Sequence, residues 1–221
     1  MRHWHGPFDK RGYHHGNLKE ALIEAARRFI AERGLSGFTL VDAAKLVGVS
    51  PAALYRHFSG REALVAEVAG RGFDQLAERL ARALRGPGTP IERFTRMGEA
   101  YLSFAEEEPG FYAAMFAPAA AEPEAPPRTP PGPWGPPPGK DEQPGTFNLL
   151  VNALMMTFPE GFDGVDPRFV ALEVWALSHG IATLSAAGQL PKGPGFPDKV
   201  ELLRAGVLAL VHGAMRRGGA G

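Results

Sequence analysis

The chain has 221 residues, its 24 lysines and arginines are balanced by 24 aspartates and glutamates, and it contains no cysteine. That length can bury a sizeable core in one or two domains, and the missing thiol excludes disulfides, thiolate metal sites and a cysteine nucleophile. The N-terminal stretch has no apolar core of signal-peptide type, and no apolar run of membrane-spanning length is expected, so a cytoplasmic protein with no membrane partner is anticipated. The zero net charge hides a polarity. Residues 1–72 hold 11 basic and 7 acidic side chains, a surplus of +4, while the remainder holds 13 and 17, a deficit of −4.

Residues 1–16 are polar, aromatic and rich in histidine, and they read as a flexible arm. His3, His5, His14 and His15 could grip a metal only loosely from such an arm; an arm lying near phosphate is the better reading, and no metal or cofactor is expected. Four helix-start signals follow. Asn17 stands three residues before Glu20, Thr39 before Asp42 and Ser59 before Glu62, and Ser50 is followed by Pro51. Each cap accepts from backbone N–H groups that a helix start leaves unpaired, and proline suits the first helical position. The first helix is predicted over 18–33, with Leu22, Ala26, Phe29 and Ile30 on one face and Gly34 at its end. The second runs over about 40–47 and stops at Gly48. The third covers about 51–57. The fourth is long, from Ser59 to about Leu84, and Gly86, Pro87, Gly88 and Pro90 end it.

A fifth helix over about 91–106 carries Phe94, Met97, Tyr101 and Phe104 on one stripe. Pro109 and Gly110 interrupt it, and a short sixth holds Phe111, Tyr112, Met115 and Phe116. Residues 118–145 contain eleven prolines and read as a disordered or polyproline-like surface loop. Helices return at about 146–157, 167–187 and 198–216. No alternating strand pattern occurs, so the fold is predicted to be all-α.

Residues 40–58 meet the demands of a helix-turn-helix. Ala44 lets the two helices cross closely, Gly48 tolerates a positive φ in the turn, and Val49, Leu54 and Phe58 close the junction. The outward face of the second helix is small at its start, in Ser50, Pro51, Ala52 and Ala53, and hydrogen-bonding at its end, in Tyr55, Arg56 and His57. A small leading edge can approach bases, and the polar end can hold phosphates. The basic surplus lies at this end of the chain.

The run Gly16-Asn17-Leu18-Lys19-Glu20-Ala21-Leu22, then Gly34, Phe38-Thr39-Leu40, Gly48-Val49-Ser50, Leu54-Tyr55-Arg56-His57-Phe58 and Glu62-Ala63-Leu64 resembles the DNA-binding domain of the tetracycline-repressor-like (TetR) family of bacterial transcription regulators. The resemblance covers about residues 13–70. Trp175, His179 and Gly180 also resemble the Trp-His-Gly signature of one C-terminal subclass. The resemblance implies a three-helix DNA-binding domain over 17–64, joined by a long fourth helix to an effector-binding and dimerisation domain over 65–221. It further implies a homodimer on an inverted-repeat operator in double-stranded DNA, released by a small effector. By the same resemblance, Thr39 caps helix two and touches phosphate, and Tyr55, His57 and Arg61 contact the DNA backbone. Arg56 and the Ser50–Ala53 edge are the base-reading candidates, while Tyr55 could also simply pack.

In the C-terminal half, Phe94, Met97, Tyr101, Phe104, Phe111, Met115, Leu154, Met155 and Met156 are rich in aromatic rings and methionine. Such stripes more often make core than cavity, but with Trp175 they are candidates to line a pocket for an apolar effector. His179 reads equally as a polar handle in that pocket or as a satisfied core histidine. The helix near 167–187 is apolar on two sides, and the last helix pairs an apolar stripe with a small face of Ala205, Gly206, Ala209 and Gly213. Val170, Val174, Leu177, Ile181, Leu184, Val200, Leu203, Val207 and Leu210 are therefore predicted to form a two-fold dimer interface. No HExxH, phosphate loop or GxSxG occurs, so an enzyme is the weak alternative. A protein-interaction module acting through the Pro-rich loop is the other.

Overall fold

The structure, a computed structural model, describes residues 18–117, 145–159, 162, 164–191 and 193–218, with 217 and 218 as backbone alone. Nine helices and no strand occur among the described residues: α1 Leu18–Arg33, α2 Leu40–Val47, α3 Pro51–Leu54, α4 Arg61–Arg85, α5 Pro90–Glu107, α6 Pro109–Met115, α7 Thr146–Thr157, α8 Pro167–Ala186 and α9 Lys199–Gly218. The predicted arm, the Asn17 cap and nearly all of the Pro-rich segment lie outside the described residues.

The small head is made of α1, α2 and α3, and local hydrogen bonds define its helix ends. Thr39 and Asp42 form a reciprocal capping box. The Ser50 hydroxyl accepts from the Ala53 N–H, with Pro51 at the first helical position. Each such cap stabilises by about 1 kcal/mol. Gly48, at φ 78°, ends α2, and bonds from Gly48 N–H to Lys45 O and from Val49 N–H to Ala44 O satisfy the last carbonyls. α3 is shorter than predicted. Its regular part stops at Leu54, and Tyr55, Arg56 and His57 form a turn closed by bonds from His57 and Phe58 N–H to Leu54 O. Ala44, Leu54 and Phe58 are all buried, as the crossing requires.

The predicted Ser59–Glu62 capping box is corrected. Gly60 occupies the cap position of α4 in extended backbone and makes no side-chain cap bond. Arg61 anchors this helix start instead, donating from Nε to Phe38 O at 3.0 Å and from Nη2 to Leu35 O at 2.7 Å.

The body packs α4 against α5, α6 and α7, with α8 covered by α5, α7 and α9. α6 crosses between head and body, touching both α1 and α4. At Gly110 it approaches so closely that a Cβ would stand 2.2 Å from Arg27 O. A network of Lys19, Glu20, Glu67 and Arg71 also ties α1 to α4. These pairs are part-exposed and contribute little each; they set register rather than stability. α8 does have the length and apolarity of a membrane span, contrary to the sequence expectation. Its Val170, Val174 and Ile181 are buried in the helical body.

Candidate DNA-reading face and effector cavity

Thr39 is exposed at the start of α2, Ser50, Pro51, Ala52, Tyr55, Arg56 and His57 are exposed in and around α3, and Ala53 is half-buried. Tyr55 is 60% exposed, so it does not serve the core. The Thr39 hydroxyl is engaged with Asp42. Among the described residues the Arg56 guanidinium has no carboxylate within ion-pair distance. Arg61 departs from its expected role. Its guanidinium is half-buried and committed to the Phe38 and Leu35 carbonyls, with Glu62 at 3.5 Å, so it fastens the α1–α2 connection to α4.

A cavity of about 570 Å³ lies in the body, among α4, α5, α7, α8 and α9. Of the residues predicted to hold an effector, Phe94, Met97, Tyr101 and Trp175 line it. Phe104, Phe111, Met115 and Leu154 are buried in the surrounding core instead, and Met155 is 50% exposed, away from the cavity. Sequence reasoning missed the contributions of Phe73, Leu76 and Leu80 on α4 and of Phe147 and Leu150 on α7. The spacing of Phe73, Leu76 and Leu80 puts them on one face of α4, but apolar periodicity carries no mark that separates a cavity wall from solid core.

The predicted dimer residues need the largest correction. Val170, Val174, Ile181, Leu203 and Val207 are buried within the single chain. Val174, Val200, Leu203 and Val207 in fact line the cavity. Leu177 covers Gly206, where a Cβ would meet Leu177 Cδ2 at 2.6 Å, so the small residue serves the α8–α9 contact inside the chain. Leu210 is half-buried against the core, and only Leu184 is open, at 42%. The outward apolar face of these helices is instead Phe169, Ala176 and Leu184 on α8 with Ala205 and Ala209 on α9.

His179 stands behind the cavity wall at the centre of an aromatic cluster. Its Nδ1 lies 2.7 Å from Tyr112 Oη and 3.3 Å from Tyr101 Oη, and the two phenols are 3.3 Å apart. Phe116, Tyr112 and Trp175 surround its ring. Burial lowers the imidazole pKa and raises those of Tyr101 and Tyr112. All three groups are thereby held neutral, because burial penalises the charged forms. A neutral imidazole carries a single ring proton, and its Nδ1 and Tyr112 Oη share the shortest bond of the cluster. His179 is not among the cavity-lining residues; it is bonded closely to Tyr112 and at greater length to Tyr101, which does line the cavity.

An exposed turn on capped short helices, carried on an all-helical body with a cavity, defines a helix-turn-helix fold with a helical C-terminal part. Residues 22–68 match the family described as bacterial regulatory proteins, tetR family, and residues 94–210, more than half of the chain, match the tetracyclin repressor-like, C-terminal domain. The chain belongs to the TetR family. It is 32% identical over 103 residues to YobS of Bacillus subtilis (strain 168), named an uncharacterized HTH-type transcriptional regulator; the match covers 45% of this chain and 51% of YobS. It is also 32% identical over 77 residues to the HTH-type transcriptional repressor KstR2 of Mycolicibacterium smegmatis, covering 35% of this chain and 38% of that protein. The chain thus spans about half, or less, of the length of these curated relatives. In fold it is similar to a protein of unknown function from Rhodococcus sp. RHA1, at 27% identity and a TM-score of 0.66, over 92% of this chain and 98% of that one. The matched family and the named relatives are transcription regulators rather than enzymes.

Proposed function

We propose that this protein is a ligand-responsive repressor of the Trp-His-Gly subclass, acting in the cytoplasm as a homodimer. In this reading residues 17–64 bind an inverted-repeat operator, and residues 65–221 dimerise and hold a small, mostly apolar effector that releases the DNA. Thr39, Ser50–Ala53, Tyr55, Arg56 and His57 remain the contact candidates, with Arg61 reassigned to positioning. The outward faces of α8 and α9 replace the buried stripes as the proposed interface.

The observation that carries the reading is α4. It is one continuous helix of 25 residues, about 37 Å long at 1.5 Å per residue. It begins at Arg61 beside the reading turn, and its Phe73, Leu76 and Leu80 line the cavity. A ligand seated there bears directly on the helix that supports the head. α6 offers a second link, because Gly110 sits against α1 while Tyr112 holds His179. A ligand shifts such an equilibrium only as far as it prefers one state, and operator must then weaken effector binding by the same factor.

Selection of bound duplexes from genomic DNA should return inverted repeats with half-sites about one helical turn, roughly 34 Å, or a multiple apart. Affinity should fall with salt at a log–log slope of about −0.9 per neutralised phosphate. Failure to select any duplex overturns the DNA reading. Equal effector affinity with and without operator overturns the control by ligand.

A further inference from the structure

The cavity wall is apolar except for a few groups, and their hydrogen-bond inventory is uneven. Trp175 and Tyr101 both line the cavity. Tyr112 Oη and His179 Nδ1 are engaged with each other at 2.7 Å. Ser178, also in the wall, donates to Val174 O at 2.8 Å. Within the aromatic cluster, Tyr101 Oη makes only long bonds. Its possible acceptors, Tyr112 Oη and His179 Nδ1, are both 3.3 Å away, and His179 Nδ1 is already taken. An ordinary O–H···O bond is about 2.7–2.8 Å long. Tyr101 is therefore a donor in reserve at the wall of the cavity.

The charge around the cavity is balanced. Glu92 and Glu99 oppose Arg96 and Arg204 among its lining residues. No cation stands in the Tyr101 cluster, whose members are two phenols, an indole and an imidazole held neutral by burial. A carboxylate seated at Tyr101 would lose its hydration without gaining a counter-charge, which is costly, whereas a neutral carbonyl needs only one donor.

We propose that Tyr101 recognises the effector through a single hydrogen bond to a neutral acceptor oxygen, so that the ligand class is an apolar molecule ending in a ketone, aldehyde, ester or lactone carbonyl. This rests on the reading of the cavity as an effector site and adds the chemistry of its polar end. Tyr112 and His179 keep the phenol in place but leave its proton for the ligand.

The test uses the full chain, wild type and Tyr101→Phe, and displacement of the neutral fluorescent probe N-phenyl-1-naphthylamine by 2-nonanone, nonane and nonanoate at pH 8. Tyr101→Phe should weaken 2-nonanone by about tenfold, the effect of leaving one buried acceptor unpaired. It should leave nonane within about twofold, which also reports that the variant is folded. Nonanoate should bind the wild type more weakly than 2-nonanone. Nonane binding with no change for the ketone overturns the role of Tyr101 while leaving the cavity reading intact. Nonanoate binding tighter than the ketone overturns the neutral ligand class. No displacement by any of the three overturns the cavity reading and this proposal together.

Discussion

The head and the body of this molecule are stabilised by different kinds of interaction. In the head, the ends of α2 and α3 are set by partners three to five residues away: Thr39 with Asp42, Ser50 with Ala53, and Gly48 and Val49 with Lys45 and Ala44. In the body, the decisive contacts join residues far apart in the chain. Tyr112 meets His179 across 67 positions, and Tyr101 meets it across 78. The head presents polar groups outward on a rigid turn, while the body turns aromatic rings inward around a space. A local scaffold can hold a constant reading surface, whereas a non-local one can change shape when its cavity fills.

The strongest way to break this division is at the seam. Gly110→Ala places a methyl group against the backbone of α1, which cannot move aside as a side chain could. It should destabilise the fold by about 3 kcal/mol, the upper range of overpacking, as measured by urea denaturation. A cost near zero would mean that α6 is only loosely docked on the head and is no route between the two regions.

Arg56→Ala tests the head alone. The side chain is exposed and unpaired among the described residues, so global stability should stay within about 0.5 kcal/mol. Operator preference should relax at one base position by about 1–3 kcal/mol, read from a library of operator variants. A uniform loss across the library would make Arg56 a phosphate contact. Tyr55→Phe is expected to give that uniform loss.

Thr39→Ala sharpens the contrast between local and non-local stabilisation. Loss of the capping box should cost about 1 kcal/mol, visible in denaturation of the protein without DNA. Hydrogen exchange should locate the change in α2, with the cavity-lining helices unaffected. Loss of protection spreading into α5 and α8 would show that the head is not a separately specified unit.

The smallest expected effect is a pH dependence confined to the body. Burial lowers the pKa of His179, so the folded state favours its neutral form. The stability linked to that group is present above the unfolded value of about 6.5 and is lost as pH falls through the lower folded value. The carboxylates lowered by partners, such as Glu20 beside Arg71 and Glu106 beside Lys199, titrate below about 4.3 and fall outside this window. Between pH 7 and pH 5 the wild type should therefore lose more thermal stability than His179→Gln, which keeps a hydrogen-bonding partner for Tyr112. Equal losses would remove His179 as the titrating group.

The reading of the sequence was accurate where structure follows from neighbours in the chain. The bounds of α1, α2 and α7 agree with the predicted ranges, the Thr39 cap of α2 is present, and the family resemblance agrees with the matched families. It was poorer where one residue had two available roles. Ser59 and Glu62 have capping-box spacing, yet Arg61 reaches two carbonyls more than twenty residues away and α4 starts without that cap. The same reach removes Arg61 from the exposed contacts around the reading turn.

What the sequence alone determined is the helical class, the helix-turn-helix with its capped start and glycine turn, and the family, because all of these rest on short-range periodicity and spacing. Only the tertiary structure decided which of the two apolar sides of α8 and α9 faces inward, since a helix apolar on both sides reads the same either way. That choice moved Val174, Val200, Leu203 and Val207 from a supposed subunit interface to the wall of a cavity. It also brought His179 to Tyr101 and Tyr112, a meeting that depends on how α5, α6 and α8 pack and that no spacing in the chain encodes.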